Sequence, residues 1–202
     1  MVGDRVETVI DLLRHGEPEG GKRFRGQRDD PLSERGWRQL WEAAGDEAPW
    51  QQIVTSPLKR CAAFAEALSL RHGIELIVEP AFKEVGFGIW EGHPPEAIEE
   101  RYPEDYRRYR ADPLHFMPPG AESMAAFMDR VARAWETLLA AQRGRRVLVV
   151  CHAGVVRAVL ARVLGVTPER LFRIHVGYAA RTRLVVHGSA PATLVFHEGG
   201  PT

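Results

Sequence analysis

Apolar residues along the chain follow two patterns, short continuous runs and longer stretches with helical spacing. Four apolar runs predict buried β-strands, at residues 6–13, 52–55, 74–78 and 146–150. Between them, apolar positions recur every three or four residues and predict amphipathic helices that begin after Ser33, near Pro57, at Glu122 and at Gly154. Three more runs, at 173–176, 184–187 and 193–197, predict terminal strands, with a turn at 188–191 between the last two. Alternating strands and helices predict a layered α/β domain with a mostly parallel sheet.

The segment of about residues 80–120 breaks this pattern. It is rich in proline, tyrosine and mixed charge, with short helical pieces around 95–111. A stretch of this length without regular strands predicts an insertion or lid over the core. Its aromatic residues could stack on a flat base of a ligand, although packing within the lid is the favoured interpretation: Tyr102, Tyr106, Tyr109 and Phe116.

Composition and charge narrow the class of protein. The 202 residues are 45% hydrophobic and 27% charged, which predicts one soluble domain over 1–202. Zero formal net charge disfavours nucleic acid or a membrane surface as partner, while a local basic pocket stays compatible with it. With no signal-peptide pattern and no long apolar stretch, we expect a cytoplasmic protein. Cys61 and Cys151 are expected to be buried thiols, and the terminal strands leave a homodimer open.

Two histidines follow the ends of two predicted strands. His15 comes directly after the first strand region and His152 after the strand at 146–150. Ligands bind beyond the carboxyl ends of such strands, so both imidazoles are expected in one site. Glycines beside them allow close approach of a ligand, and a helix start offers free N–H groups to an anion. The other six histidines are expected to be surface or structural, and no metal-ligand spacing is present.

Two arginines and one glutamate complete the candidate chemistry. Arg14 and Arg60 could form a phosphate clamp, because guanidinium groups match phosphate oxygens in a bidentate way. Glu84 lies between apolar neighbours. It is either an ordinary surface acid or a poorly solvated carboxyl whose raised pKa lets it donate a proton at neutral pH.

The order of six motifs resembles the histidine phosphatase superfamily, the group that includes the cofactor-dependent phosphoglycerate mutases. These motifs are LLRHGEP, DDPLSERG, TSPLKRCAAFAEAL, KEVGFGIWEG, PPGAESMAAFMDRV and VLVVCHAGVVRAVL. The resemblance implies a three-layer α/β/α sandwich with a mostly parallel central sheet, and an inserted lid at the mouth of the site.

The same resemblance implies the role of each site residue. His15 is expected to be the nucleophile that becomes phosphohistidine. Arg14, Arg60 and His152 are expected to bind the phosphoryl oxygens, and Glu84 to serve as general acid and then as base for water. No metal or cofactor is expected.

The resemblance also implies a small phosphate ester as substrate, and departures from the family pattern bear on which ester this is. Gly21 and Pro18 stand where many members have Asn and Thr, respectively, and these departures make a mutase activity less favoured than a phosphatase activity. The chain looks more like bacterial α-ribazole-5′-phosphate phosphatases. Arg25, Gly26 and Ala153 are expected to contact substrate, Arg25 supplying a cation where the Asn is missing. The alternatives are a broad-specificity or sugar-phosphate phosphatase, then a phosphoglycerate mutase, and lastly a phosphate-binding regulator without turnover.

Overall fold

A computed structural model describes residues 6–200. The six strands are β1 (Glu7–Arg14), β2 (Gln52–Thr55), β3 (Leu76–Val78), β4 (Arg146–Cys151), β5 (Arg181–His187) and β6 (Thr193–Glu198). The six α-helices are α1 (Glu34–Ala44), α2 (Lys59–His72), α3 (Pro95–Arg101), α4 (Pro103–Ala111), α5 (Met124–Ala141) and α6 (Ala153–Leu164). None of the helices in this described part of the chain is both long enough and apolar enough to span a lipid bilayer.

One sheet joins all six strands in the order β3-β2-β4-β1-β5-β6. The pairs β2–β3, β2–β4 and β4–β1 are parallel, whereas β5 and β6 add antiparallel pairs at one side. Because β1 and β4 are direct parallel neighbours, the residues that follow their carboxyl ends emerge side by side. This pairing brings the two predicted histidines into one site.

The sheet is covered on both faces, which gives the three layers. Alternate residues of a strand point to opposite faces. Ile10 and Leu12 of β1 accordingly pack with α5 and α6, whereas Leu13 packs with α1 and α2. The apolar stripe of α5 is buried in the first core, through Phe127, Val131, Trp135 and Leu138. Both cysteine thiols are free and buried.

Element boundaries differ from the sequence pattern at three places. Residues 173–176 form no strand, because Pro168–Arg173 folds as a 3₁₀ turn and Val176 instead gives its carbonyl to Arg14. β3 starts at Leu76 rather than at residue 74, since the amide of Ile74 still bonds to the end of α2. β5 starts earlier than predicted, at Arg181, so it includes polar residues that the apolar pattern left out.

A buried carboxylate holds β1 within the sheet. Asp11 is 6% exposed, and its oxygens accept hydrogen bonds from the Trp50 indole at 2.7 Å and from both Nε and Nη2 of Arg183 at 2.7 and 2.9 Å. Arg183 lies directly opposite Asp11 in the β1–β5 pairing. This bidentate pair explains why a charged residue is tolerated in a central strand.

The segment 80–123 is tied to the loop after β1 by an aromatic cluster. Phe24 packs against the rings of Phe87, Trp90, Tyr106 and Tyr109 with centroid separations of 5.1–6.4 Å. Backbone bonds from Phe24 to His93 and from Gly92 to Phe24 add to this contact. The loop after β1 and the segment 80–123 therefore pack directly against each other.

Candidate active site

A cavity of about 680 Å³ lies beyond the carboxyl ends of β1 and β2. The predicted residues Arg14, His15, Arg25, Gly26, Arg60 and Glu84 all line it. Among the described residues of its lining, seven carry a positive charge: Arg14, Lys22, Arg23, Arg25, Arg35, Arg60 and Arg157. Two carboxylates, Glu17 and Glu84, oppose them, so the cavity suits a ligand with at least one strong negative charge.

His15 is held in one tautomer by its own loop. Its Nδ1 lies 2.7 Å from the carbonyl oxygen of Gly16, and because a carbonyl only accepts, Nδ1 carries the proton. Nε2 is then unprotonated and able to attack an electrophile. Burial lowers the pKa of His15 well below its usual range, and the neighbouring charges of Arg14 and Arg60 lower it further, so the imidazole is neutral at pH 7.

The turn after His15 depends on contact between two glycines. A Cβ on Gly16 would lie 2.1 Å from the carbonyl oxygen of Gly36, and one on Gly36 would lie 2.1 Å from that of Glu17. Ser33 caps α1 through the amide of Gly36 and donates its hydroxyl hydrogen to the Glu17 carbonyl. The start of α1 therefore fixes the backbone next to His15.

Arg14 and Arg60 flank His15, each held by backbone carbonyls. Arg14 donates to Val176 at 2.6 Å, and Arg60 donates to Arg28 and Gly26 at 2.7 Å each. Arg60 is fully buried, and burial lowers the pKa of Arg14 to about 10, which leaves it a cation at neutral pH. In each guanidinium the buried Nε–H has no hydrogen-bond partner, a costly state that an anionic ligand would relieve.

His152 lies directly behind His15. The two ring centroids are 5.2 Å apart at 61°, and His152 is fully buried at the start of α6. Burial lowers its pKa well below the usual range, and Arg60 adds to the effect. Its Nε2 shares a 2.8 Å hydrogen bond with Ser56 Oγ. Since His152 does not line the cavity, a direct contact with a phosphoryl oxygen stays a prediction.

Glu84 is held at the edge of the cavity by the backbone. Its Oε1 accepts from the amide of Val85 at 3.0 Å, and its Oε2 accepts from the amide of Gly154 at 3.1 Å. A Cβ on Gly154 would lie 2.1 Å from Oε1, so this close approach requires glycine. The side chain is partly exposed rather than enclosed by apolar neighbours, and its carboxylate lies beside the start of α6.

The three predicted substrate contacts have different surroundings. Arg25 is 9% exposed; it donates to the Glu19 carbonyl at 2.9 Å and lies 3.3 Å from Asp30, so it closes its own loop as well as lining the cavity. Gly26 has a positive φ of 51° and gives its carbonyl to Arg60. Ala153 begins α6 and does not line this cavity.

Sequence reasoning missed Tyr178, Arg157 and Ser56. The Tyr178 ring lies 4.4 Å from the Arg14 guanidinium carbon and 5.9 Å from the His15 ring, on a segment that no apolar pattern marked. Arg157 follows Gly154 by three residues and so faces the same side of α6, a helical spacing that could have revealed it. Ser56 precedes the helix predicted near Pro57 and would be typical of a cap there, but α2 starts at Lys59 without a side-chain cap. Ser56 directly follows β2, which pairs with β4, and this position was the signal that could have placed it beside His152.

Comparisons with known proteins agree with this geometry. A bifunctional protein of Mycobacterium tuberculosis is 33% identical over 178 residues, covering 86% of this chain and 49% of that protein. The chain thus spans about half the length of the first curated relatives that it matches. Phosphoserine phosphatase 1 of Hydrogenobacter thermophilus is 34% identical over 159 residues, covering 77% of this chain and 75% of that enzyme.

Solved structures are similar over nearly the whole chain. A mycobacterial glucosyl-3-phosphoglycerate phosphatase superimposes with a TM-score of 0.83 at 27% identity, covering 96% of this chain and 100% of that one. The α-ribazole phosphatase of Shigella flexneri gives a TM-score of 0.84 at 25% identity, covering 94% and 96%. These names support a phosphoric monoester hydrolase. Residues 10–198 match the histidine phosphatase superfamily (branch 1). The chain therefore belongs to the histidine phosphatase superfamily.

Proposed function

We propose that this domain is a metal-independent phosphomonoesterase that works through a phosphohistidine on His15. The observation that carries the proposal is the neutral, Nδ1-protonated imidazole of His15 between two backbone-anchored guanidinium groups. A neutral Nε2 is a nucleophile, and the adjacent cations stabilise the charge on the equatorial oxygens of the transferring phosphoryl group.

The reaction has two steps with one proton carrier. In the first, the Nε2 lone pair of His15 forms a bond to phosphorus, the ester P–O bond breaks, and Glu84 gives its proton to the departing alkoxide. In the second, the Glu84 carboxylate takes a proton from water as the water oxygen attacks phosphorus. The N–P bond then breaks, which releases phosphate and restores neutral His15 and protonated Glu84.

The nucleophile assignment is tested by His15→Ala, with His187→Ala as the control. His187 is exposed and far from the cavity, at the opposite end of β5. With p-nitrophenyl phosphate we expect His15→Ala to lose about 10³-fold or more in kcat, while the control and the EDTA-treated wild type keep full activity. Rapid quenching with labelled substrate should trap an acid-labile phosphoenzyme in the wild type and in His187→Ala but not in His15→Ala. Substantial turnover by His15→Ala, or loss of activity with EDTA, would contradict the proposal.

For the substrate we propose an α-ribazole-5′-phosphate-type ester. The motif resemblance and the whole-chain likeness to the Shigella flexneri enzyme support it. A second candidate is an ester with an additional anionic group, because Lys22, Arg23 and Arg35 add positive charge to the cavity lining beyond the residues beside His15. The names of the phosphoserine and glucosyl-3-phosphoglycerate phosphatases agree with that candidate.

The two candidates are separated by kcat/KM measured on α-ribazole-5′-phosphate, phosphoserine and phosphoglycerates. Lys22→Ala and Arg23→Ala should leave α-ribazole-5′-phosphate nearly unaffected and weaken esters that carry a second anion. A high kcat/KM for simple sugar phosphates, with no preference for α-ribazole-5′-phosphate or for esters with a second anion, would favour the broad-specificity alternative. Transfer of phosphate between phosphoglycerates would favour the mutase.

A further inference from the structure

A second cavity, which we call the side cavity, adjoins the active site. Its volume is about 280 Å³. It shares Glu84, Phe87 and Arg157 with the larger cavity. Its other walls are mainly apolar and come from separate parts of the chain: Val85, Tyr109, Met124, Phe127, Gly154, Leu171 and Phe172.

The chemistry of the site determines which part of a substrate meets this cavity. In-line displacement puts the leaving oxygen on the side of phosphorus opposite His15 Nε2. That oxygen must also lie within hydrogen-bond reach of Glu84, which protonates it. Because Glu84 belongs to the walls of both cavities, the leaving oxygen lies where the two cavities meet, and the side cavity is the apolar space next to it.

The walls of the side cavity match a flat ring better than a sugar. Phe87 and Tyr109 meet edge to face, with centroids 6.0 Å apart at 83°. Phe172 is 46% exposed, an apolar ring kept at the surface beside the cavity. A cavity of about 150 Å³ holds benzene, so the side cavity has room for one or two fused rings.

The lining of the side cavity also includes one phenol, that of Tyr109. Burial raises the pKa of Tyr109 to about 12, so the phenol is neutral at physiological pH and available as a hydrogen-bond donor. Arg157 lies at the boundary between the two cavities, its Nε held by the carbonyl of Ile174 at 2.9 Å.

We infer that the side cavity is the leaving-group subsite, and that the alcohol half of the substrate carries an aromatic or cyclic apolar body. This inference rests on the proposed function, since it uses Glu84 as the acid. It narrows the substrate class beyond a phosphate ester and is independent of which named metabolite is hydrolysed.

The experiment compares ethyl phosphate with 2-phenylethyl phosphate, whose alcohols have similar acidity, so that the ring is the main difference. We expect the wild type to prefer the phenylethyl ester by at least about tenfold in kcat/KM. Phe172→Ala should lower the preference several-fold and leave ethyl phosphate within about twofold. The matched control is Phe116→Ala, which removes another partly exposed phenylalanine ring that does not line the side cavity. Circular dichroism checks that each variant is folded.

Binding of the phosphonate analogues distinguishes the inference from the proposed function. Calorimetry with propylphosphonate and 3-phenylpropylphosphonate, in which CH₂ replaces the bridging oxygen of each ester, needs no turnover, and the phenyl compound should bind at least about tenfold more tightly. Equal binding and equal turnover of each pair, or equal loss on both esters in Phe172→Ala, would overturn the inference. Ring-dependent binding by an enzyme with no phosphatase activity would support the side cavity and contradict the proposed function.

Discussion

At the scale of single residues, Gly154 determines where the proposed acid lies. Its amide donates to Glu84 and its missing Cβ gives the carboxylate room. We expect Gly154→Ala to displace Glu84 without unfolding α6, because alanine suits a helix. The loss in kcat should be about 10²-fold for ethyl phosphate and less than tenfold for p-nitrophenyl phosphate, whose leaving group needs no proton.

Glu84→Gln should show the same dependence on the leaving group. Gly86→Ala is the matched control for Gly154→Ala, because a Cβ at position 86 meets nothing closer than 3.6 Å. Steady-state kinetics over a series of esters would measure how steeply kcat of each variant depends on the acidity of the alcohol that leaves. An equal loss for good and poor leaving groups would remove Glu84 from the role of acid.

A second residue-scale prediction concerns Tyr178, which lies over the Arg14 guanidinium. Tyr178→Phe keeps the ring and should stay within about threefold of the wild type. Tyr178→Ala removes a cation–π contact worth about 1 kcal/mol or more and should raise KM roughly tenfold with little change in kcat. A larger effect of the Phe variant than of the Ala variant would point to the hydroxyl instead.

These residues mark the limit of prediction from the sequence at this scale. His15, Arg14, Arg60 and Glu84 could be named because each sits in a motif at a strand or helix end. Tyr178 could not, because its segment has no periodicity and its position depends on an irregular turn at the next residue, Ala179, whose φ is +53°. The role of Ser56 was hidden because a serine before a helix is equally typical of a cap.

At the scale of elements, the Asp11–Arg183 pair connects β1, which carries His15, to β5. We expect Asp11→Ala to lower the free energy of unfolding by about 2–3 kcal/mol, since it breaks a bidentate pair and leaves the Trp50 indole without an acceptor. Glu104→Ala, which disrupts the exposed ion pair between Glu104 and Arg107, should lower the free energy of unfolding by less than about 1 kcal/mol. Urea denaturation of both variants provides the measurement; equal changes would contradict a structural role for Asp11.

The Asp11–Arg183 pair also shows why the boundaries of the strands were only partly predictable from the sequence. The order of strands and helices followed from apolar spacing, because each core-facing element buries a continuous stripe. β5 was predicted too short because Arg181, Thr182 and Arg183 look like a loop until their partners on β1 are known. Strand pairing between residues more than 150 positions apart leaves no local mark in the sequence.

At the scale of the whole molecule, two buried neutral histidines make stability depend on pH. His15 and His152 have pKa values well below the ordinary 6.5, so below that pH the unfolded chain binds protons that the native protein does not. The free energy of unfolding should therefore fall as pH drops from 6.5 toward 5, by up to about 1.4 kcal/mol per pH unit for each histidine.

His15→Gln should reduce this slope by about 1.4 kcal/mol per pH unit. His187→Gln, at an exposed position, should leave it unchanged. Thermal denaturation at pH 7.5, 6.5, 5.5 and 5.0 would measure both slopes, and identical profiles for the two variants would show that His15 is not neutral in the native state. Catalysis should persist into this acidic range, because His15, the proposed nucleophile, stays unprotonated there.

The direction of the last strand has a practical consequence for attaching this domain to other molecules. β6 runs parallel to β1, so Glu198 lies beside Arg181 at the end of the sheet where the candidate site opens, and the carbonyl of Gly199 accepts a hydrogen bond from the amide of Gly177 in the cavity lining. β1 begins at the opposite edge. A tether, dye or fused protein joined after residue 200 would sit near the entrance and could obstruct or report on substrate entry, whereas one joined ahead of β1 would leave the entrance open.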